Sequence, residues 1–221
     1  MTRANRAAFY GTVAAVMLMY FFTPTHGIIS VSLAAMAESY PHLSASALTY
    51  VTTIVNITQV VASIGAGMLI GRRMSFKMAG ITALALYTVA GGLPFFFGDN
   101  VPFSVLLLCR GLLGLGLGAF SPICNSSIAF LFYKENTRAS MLGIGNVCFS
   151  LGATVGNLVA GFLCLISWQT TYAFYLFGII PLLLFVIFYK EPDVHKEPVT
   201  EQQPEREKLR LPGVAWYYLF L

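Results

Sequence analysis

Six apolar runs, each long enough to cross a bilayer as a helix, constrain the fold of this chain more than any other feature. A helix needs about 20 apolar residues to cross roughly 30 Å of hydrocarbon. The runs cover residues 8–36, 48–70, 78–97, 102–124, 140–165 and 170–189. With 57% hydrophobic and 10% charged residues, the composition is typical of integral membrane proteins. The sequence therefore predicts an all-α membrane bundle of six transmembrane helices.

The segment after the sixth run has a different character. Residues 190–211 are rich in proline, glutamine and charges of both signs, which is typical of an exposed linker. A seventh apolar run begins near Pro212 and reaches the end of the sequence at Leu221. We therefore expect a six-helix domain over 1–189, a cytoplasmic linker over 190–211, and the start of a seventh helix over 212–221. We expect the chain to be a fragment whose partner is a missing C-terminal six-helix half.

The lysines and arginines predict the orientation. All but Arg110 fall before the first run, after the sixth, or in the loops that follow the second and fourth runs, and the loops around Glu38, Asp99 and Ser167 contain none. The positive-inside rule makes the basic side cytoplasmic, so we expect a cytoplasmic N-terminus in a multi-pass plasma-membrane protein. The net charge of +4 is explained by this topology and does not indicate a nucleic-acid partner.

Polar residues spaced three or four apart form stripes on four of the six runs. Side chains at this spacing share one helix face, and amides in hydrocarbon face other helices or a wet cavity. The third and sixth runs lack such stripes, so the order polar, polar, apolar occurs twice, as in a three-plus-three transporter repeat. The candidate substrate-binding or cavity-lining residues are Tyr20, Thr23, His26, Ser30, Asn56, Gln59, Arg110, Asn146 and Asn157. The alternative for each of them is a hydrogen bond between helices in a dry bundle.

Arg110 and His26 are the ionisable residues of greatest interest. At about 1.5 Å per residue, Arg110 lies about 12 Å from the outer start of its helix, so it is either a site or gate residue or a snorkelling anchor. His26 is either a proton relay or a hydrogen-bonded packing residue, and Pro24 and Gly27 beside it favour a kink or a loosened backbone.

Glycine pairs at small-xxx-small spacing predict close helix contacts. The pairs are Gly67 with Gly71, Gly114 with Gly118, and Gly152 with Gly156. The four cysteines lie in apolar runs without metal-ligand spacing, so we expect small packing residues and neither a disulfide nor a metal site. The sequence shows no metal cluster, nucleophile–base pair or phosphate loop, and we expect neither an enzyme nor a cofactor.

Two stretches resemble signatures of the major facilitator superfamily. The loop GMLIGRRMSFK, which starts at Gly67, resembles GxLaDrxGrk; Gly71 stands where that family has the Asp that caps a helix of the opposite domain. The stretch CRGLLGLGLGA is similar to the RxxxGxGxG stretch of the family's fourth helix, with matches at Arg110, Gly114, Gly116 and Gly118.

The fifth helix and the loop after it also resemble this family. Of the antiporter signature GPxxGG, Gly152 and Gly156 are present, while Ala153 and Asn157 replace the proline and the last glycine. Trp168 and Phe174 fit the pattern W-R-x-x-F, with glutamine in place of arginine.

The resemblance implies alternating access by two six-helix domains around a midplane site. It implies secondary active transport, by symport or antiport, of a small polar or anionic solute, with a proton or sodium ion as the coupling ion. The loop residues that the resemblance assigns to gating are Gly67, Gly71, Arg72, Arg73 and Lys77. The alternative function is that of a non-transporting six-helix membrane unit with an assembly or regulatory role.

Overall fold

The computed structural model describes residues 3–71, 73–98 and 101–189, with side chains from Arg6 onward. Arg72, the predicted linker over 190–211 and the predicted start of a seventh helix over 212–221 lie outside these residues. In chain order the elements are α1 (Arg3–Phe22), a first 3₁₀ segment (Thr23–Ser32), α2 (Leu33–Ser39), α3 (Ala45–Leu69), α4 (Phe76–Phe97), α5 (Phe103–Leu131), α6 (Glu135–Cys164), a second 3₁₀ segment (Gln169–Gly178) and α7 (Ile179–Phe188).

The predicted all-α bundle with six membrane helices is confirmed. Within the described residues, six helical stretches are long and apolar enough to cross a membrane: Arg6–Ser39, Ala45–Leu69, Phe76–Phe97, Phe103–Leu131, Glu135–Cys164 and Gln169–Phe188. The fourth stretch continues to Leu131, beyond the predicted end at residue 124. Its polar last turns stay helical because they contact protein, as the Ser127 hydroxyl does at 3.1 Å from the Tyr189 hydroxyl.

Serine caps and a glycine turn determine where α3 ends and α4 begins. The Ser75 hydroxyl accepts a hydrogen bond from the Met78 N–H at 3.2 Å. This N–H lies in the first turn of α4 and has no carbonyl partner within the helix. Gly71 has a φ of 82° and donates its N–H to the Met74 carbonyl at 2.9 Å. The prediction that Gly67 and Gly71 form a helix-packing pair is wrong, because α3 ends at Leu69 and Gly71 belongs to a turn.

Glycines of α5 bring three helices close together. A β-carbon at Gly114 would overlap the Thr58 side chain of α3, and one at Gly118 would overlap the Gln59 carbonyl of α3. On the other side of α5, a β-carbon at Gly116 would lie 2.7 Å from the Ala83 carbonyl of α4. Small residues let backbones approach in this way, so α5 packs between α3 and α4.

A second glycine stripe joins α6 to the first span. Gly145, Gly152 and Gly156 are buried on one face of α6. A β-carbon at Gly152 would overlap the Phe21 carbonyl, and one at Gly145 would lie 2.8 Å from the Tyr20 ring. The α6 backbone therefore rests directly on the end of α1 and on the first 3₁₀ segment.

Side-chain hydrogen bonds tie the loops together at one end of the bundle. The Tyr40 hydroxyl donates to the Val101 carbonyl at 2.7 Å, and the Trp168 indole N–H donates to the Ser39 hydroxyl at 2.8 Å. Burial raises the pKa of the Tyr40 phenol, which keeps this donor protonated. At the opposite end the Thr12 hydroxyl donates to the Phe188 carbonyl at 3.0 Å. Hydrogen bonds thus join the first and sixth spans near both ends of the bundle.

The contact between Gly152 and α1 predicts a large effect of one methyl group. We expect Gly152→Ala to lower the free energy of unfolding by about 1–3 kcal/mol, because a β-carbon there displaces the Phe21 backbone. The matched control is Gly143→Ala on the same helix, where a β-carbon meets no atom within 4 Å and the change stays within about 0.5 kcal/mol. Denaturation by SDS titration measures both variants. Equal stabilities of the two would contradict the close contact.

Candidate functional site

Arg110 is buried in the interior of the bundle, where its guanidinium joins four elements. The side chain is 1% exposed. Its Nε donates to the Val51 carbonyl of α3 at 3.0 Å, Nη1 to the Tyr175 hydroxyl of the second 3₁₀ segment at 2.9 Å, and Nη2 to the His26 carbonyl of the first at 2.8 Å. The planar guanidinium suits this task because its donors have a fixed fork geometry. Arg110 therefore connects α5 to α3 and to both 3₁₀ segments.

Hydroxyl groups extend this network to α4. The Tyr175 hydroxyl donates to the Thr25 carbonyl at 3.1 Å, and the Thr25 hydroxyl donates to the Phe22 carbonyl at 2.6 Å. Because the Thr25 proton is used in this way, Tyr87 of α4 is the donor in the 2.8 Å contact between the two hydroxyls. The Arg110 guanidinium also lies 5.9 Å from the centre of the Tyr175 ring. The network thus joins polar groups of six elements: α1, α3, α4, α5 and the two 3₁₀ segments.

The network compensates for the irregular backbone of the first span. The backbone near Pro24 and Gly27 is loosened into a 3₁₀ segment of 10 residues, longer than such segments usually run. Three side chains donate hydrogen bonds to carbonyls of this segment. Arg110 donates to the His26 carbonyl and Tyr175 donates to the Thr25 carbonyl. The Ser30 hydroxyl donates to the Gly27 carbonyl. In a membrane an irregular helix persists only when its backbone groups find such partners.

His26 and Asn56 lie beside this network. The imidazole of His26 is half-buried, and its Nδ1 lies 3.2 Å from the Thr23 carbonyl. The Asn56 side chain of α3 is within hydrogen-bonding reach of the same imidazole. His26 thus has protein partners on two elements, which is the hydrogen-bonded arrangement that was one of the two sequence-based alternatives.

A polar cavity opens between α1, α5 and α6. Its volume is about 320 Å³, and it is lined by Tyr20, Thr23, Ser121, Asn125, Leu142, Asn146 and Phe149. The Tyr20 hydroxyl donates to the Asn125 Oδ1 at 2.5 Å, and the Asn125 Nδ2 donates to the Ser121 hydroxyl at 3.4 Å. The cavity wall therefore combines hydroxyl and amide groups from three helices with apolar side chains of α6.

The structure divides the predicted site residues into three groups. Tyr20, Thr23 and Asn146 line the cavity. His26, Asn56 and Arg110 belong to the interior network or lie beside it. The remaining three lie in neither place: Ser30 and Asn157 are exposed, and Gln59 is half-buried on α3.

Reasoning from the sequence missed several residues of both clusters. Ser121 and Asn125 belong by their spacing to the inward stripe of the fourth run, together with Arg110, Gly114 and Gly118, but they were not among the candidate binding residues. Thr25, Tyr87 and Tyr175 had only the weak signal of a hydroxyl within an apolar run. Their roles depend on contacts between helices that are distant in sequence.

Of the loop residues that the resemblance assigns to gating, Arg72 lies outside the described residues, and the other four lie around the turn between α3 and α4. Gly67 is exposed in the last turns of α3, and Arg73 is exposed beyond the Gly71 turn. Lys77 is half-buried in the first turn of α4. Their role in gating stays a prediction.

Polar side chains on α3 and α6 face the outside of the described domain. We compared the most apolar stretch of 18 residues in each helix. In this stretch 17% of the residues are buried in α3 and also in α6, whereas 50% are buried in α4. The exposed residues include Asn56, Asn146, Ser150 and Asn157. Amides and hydroxyls are unfavourable against lipid, so this surface is suited to a partner domain or to water.

The Arg110 network predicts that lysine cannot replace this arginine. A lysine ammonium cannot reach all the acceptors arranged around a guanidinium fork, so Arg110→Lys loses hydrogen bonds from a charged group, each of which contributes about 1.5–3 kcal/mol. Tyr175→Phe removes the hydroxyl that accepts from Arg110 and donates to the Thr25 carbonyl, but it leaves the bonds from Arg110 to Val51 and His26, so we expect a smaller effect. SDS titration measures stability, and hydrogen exchange measures opening of the first 3₁₀ segment. If Arg110→Lys kept the wild-type stability and the wild-type rates of hydrogen exchange, Arg110 would not stabilise the first 3₁₀ segment.

Residues 7–221 match the family model described as the Major Facilitator Superfamily. The match covers all six membrane helices of the described domain.

Proposed function

The chain belongs to the major facilitator superfamily, whose members carry small solutes across membranes, and we propose that it is the N-terminal half of a secondary active transporter. It moves a small polar or anionic solute by alternating access across the plasma membrane. The observation that carries the proposal is the polar cavity of about 320 Å³ between α1, α5 and α6. In a membrane, such a set of convergent polar groups favours a solute pathway.

Two contacts support the cavity as a binding site that is already formed. The bond from Tyr20 to Asn125 and the bond from Asn125 to Ser121 hold three wall residues in place. The Gly152 contact brings α6 against α1, and so brings Asn146 to the same opening. Binding groups held in this way lose little conformational entropy when a solute arrives.

The remaining half of the pathway belongs, in this proposal, to a C-terminal six-helix domain. The exposed polar residues of α3 and α6 face that domain and the water between the two halves. The N-terminus is cytoplasmic, as the charges of Arg6, Arg73, Lys77, Lys134 and Arg138 favour by their position at one end of the bundle. A proton or a sodium ion drives the transport.

Uptake into liposomes tests the proposal with glucose, lactate and gluconate as labelled probes. We expect the reconstituted transporter, with both six-helix halves present, to accumulate at least one probe under an imposed proton or sodium gradient, and an ionophore to abolish this. We expect Asn146→Ala to reduce that uptake by up to about tenfold, since it removes hydrogen bonds to the solute. The control is Ser140→Ala, an exposed residue near the start of the same helix.

Two results would overturn the proposal. One is that no probe accumulates under either gradient. The other is that Asn146→Ala and Ser140→Ala take up the solute equally well at equal amounts of protein, which would remove the cavity from the pathway.

A further inference from the structure

A furrow runs along the surface of the domain between α4 and α5. It consists of two adjoining cavities of about 130 Å³ and 470 Å³, whose walls share two residues of α4. The α4 residues on its wall recur every three or four positions: Ala79, Thr82, Leu86, Val89 and Leu93. Side chains at this spacing share one helix face, so the two cavities form one continuous furrow.

The furrow is concave and apolar. Its floor contains Ala79 and Ala90, which are each 5% exposed, whereas Val89 and Leu108 on its sides are each 63% exposed. Small buried residues between large exposed ones leave a channel at the surface. Among the residues that line it, Thr82 has the only hydroxyl group, and none is charged. Such a surface suits a hydrocarbon chain better than water or a polar solute.

The length of the furrow matches a lipid chain. At about 1.5 Å per residue, the stretch of α4 from Ala79 to Leu93 is about 21 Å long. The residues of α5 that face it recur along the same length: Leu108, Leu112, Leu115 and Ala119. One leaflet contributes about half of the roughly 30 Å of bilayer hydrocarbon. The furrow is therefore long enough to hold an acyl chain of the leaflet in which it begins.

Basic side chains lie at one end of the furrow, beside the turn between α3 and α4. Leu69 and Met74 line this end, and the Arg73 N–H between them in sequence donates to the Leu69 carbonyl at 2.9 Å. The Arg73 side chain is exposed. Lys77 lies in the first turn of α4, two residues before Ala79. Long basic side chains extend along apolar surface with their charge toward water, so both charges are close to the mouth of the furrow.

The sequence around this end contains no carboxylate to balance these charges. No aspartate or glutamate occurs between Glu38 and Asp99, the stretch that contains α3, α4 and their turn. Clusters of lysine and arginine at a membrane surface attract the headgroups of anionic lipids. A lipid with a negatively charged headgroup thus complements both features, since its phosphate meets the cations and its chain fills the apolar furrow.

We propose that the furrow between α4 and α5 binds an anionic phospholipid from the leaflet on the Arg73 side. One acyl chain lies along the furrow, and the phosphate lies at Arg73 and Lys77. In the proposed orientation this is the cytoplasmic leaflet. The site is separate from the polar cavity between α1, α5 and α6, and it does not depend on the identity of the transported solute.

Two lipids with the same acyl chains test the headgroup: dioleoyl phosphatidylglycerol, which is anionic, and dioleoyl phosphatidylcholine, which is zwitterionic. Native mass spectrometry of the full chain in a neutral detergent measures a dissociation constant for each. We expect phosphatidylglycerol to bind at least about fivefold more tightly, because its net charge is opposite to that of Arg73 and Lys77. Equal affinities for the two lipids would overturn the proposal.

A pair of charge variants tests the position of the phosphate. We expect the double variant Arg73→Gln with Lys77→Gln to bind the two lipids with nearly equal affinity. The matched control is Lys134→Gln with Arg138→Gln, which removes the same charge from exposed positions of the loop between α5 and α6 and from the start of α6. It should keep the preference for phosphatidylglycerol. The same loss in both double variants would show a general effect of charge and no site.

Filling the furrow tests the position of the acyl chain. Thr82 lines both cavities, so we expect Thr82→Trp to weaken binding of both lipids at least about fivefold. The control is Met78→Trp on the same helix, at a side chain that is 63% exposed and not part of the wall. SDS titration identifies a variant that does not fold, and Thr82→Leu, which adds less volume, then replaces Thr82→Trp. Wild-type lipid binding in the folded Thr82 variant would contradict an acyl chain in the furrow.

The same spectra distinguish other occupants. Competition by soluble glycerol phosphate at the concentrations at which phosphatidylglycerol binds would show a site for free phosphate and overturn the lipid. A dimer without bound lipid, which Thr82→Trp but not Met78→Trp dissociates, would show that the furrow is an interface between copies of this chain.

Discussion

The need of backbone carbonyls for hydrogen-bond donors in a membrane is the constraint on which the rest of this domain depends. The first span changes from α-helix to a long 3₁₀ segment at Thr23, and carbonyls of that segment also accept hydrogen bonds from side chains of other spans. Arg110 and Tyr175 supply them from two other spans. Within the described ranges, the guanidinium is surrounded by the dipoles of two backbone carbonyls and a phenol. The charge that looks functional in the sequence thus supports the backbone beside the cavity.

Close approach of helices is the second constraint, and glycine provides it. The α6 backbone lies against Phe21 because Gly152 has no side chain, and α5 lies against α3 through Gly114 and Gly118. These contacts determine which polar groups meet. Tyr20 reaches Asn125 across a gap of 105 residues in sequence, and Asn146 comes to the same opening only because α6 rests on the first span. The cavity is therefore a product of small-residue packing as much as of its polar residues.

Hydropathy was sufficient to predict the number and approximate limits of the membrane helices, because crossing the hydrocarbon imposes a length and a composition. Helical spacing also placed Tyr20, Thr23 and Asn146 among the candidates. It failed for Gly71, since a spacing of four does not reveal that α3 ends at Leu69. It also did not identify Tyr175 or Tyr87, because an isolated tyrosine in an apolar run is ambiguous until its tertiary contacts are known. For Arg110 the sequence left a site or gate residue and a snorkelling anchor as alternatives, and the acceptors that its guanidinium contacts on α3 and on the two 3₁₀ segments could not be identified from spacing.

The separation of charge from cavity has a consequence for how such a domain works. If Arg110 faced the cavity, movement of a solute would compete with the bonds that hold the 3₁₀ segment, and binding would destabilise the first span. With the guanidinium engaged at Val51, Tyr175 and His26, the described wall of the cavity presents uncharged hydroxyl and amide groups, whose hydrogen bonds are weaker than those of a charged group. Weak and numerous contacts allow a solute to leave as readily as it enters, which repeated cycles of transport require. The α6 backbone meets the first span through Gly152 and the Phe21 carbonyl, a contact that involves none of the polar side chains of the cavity.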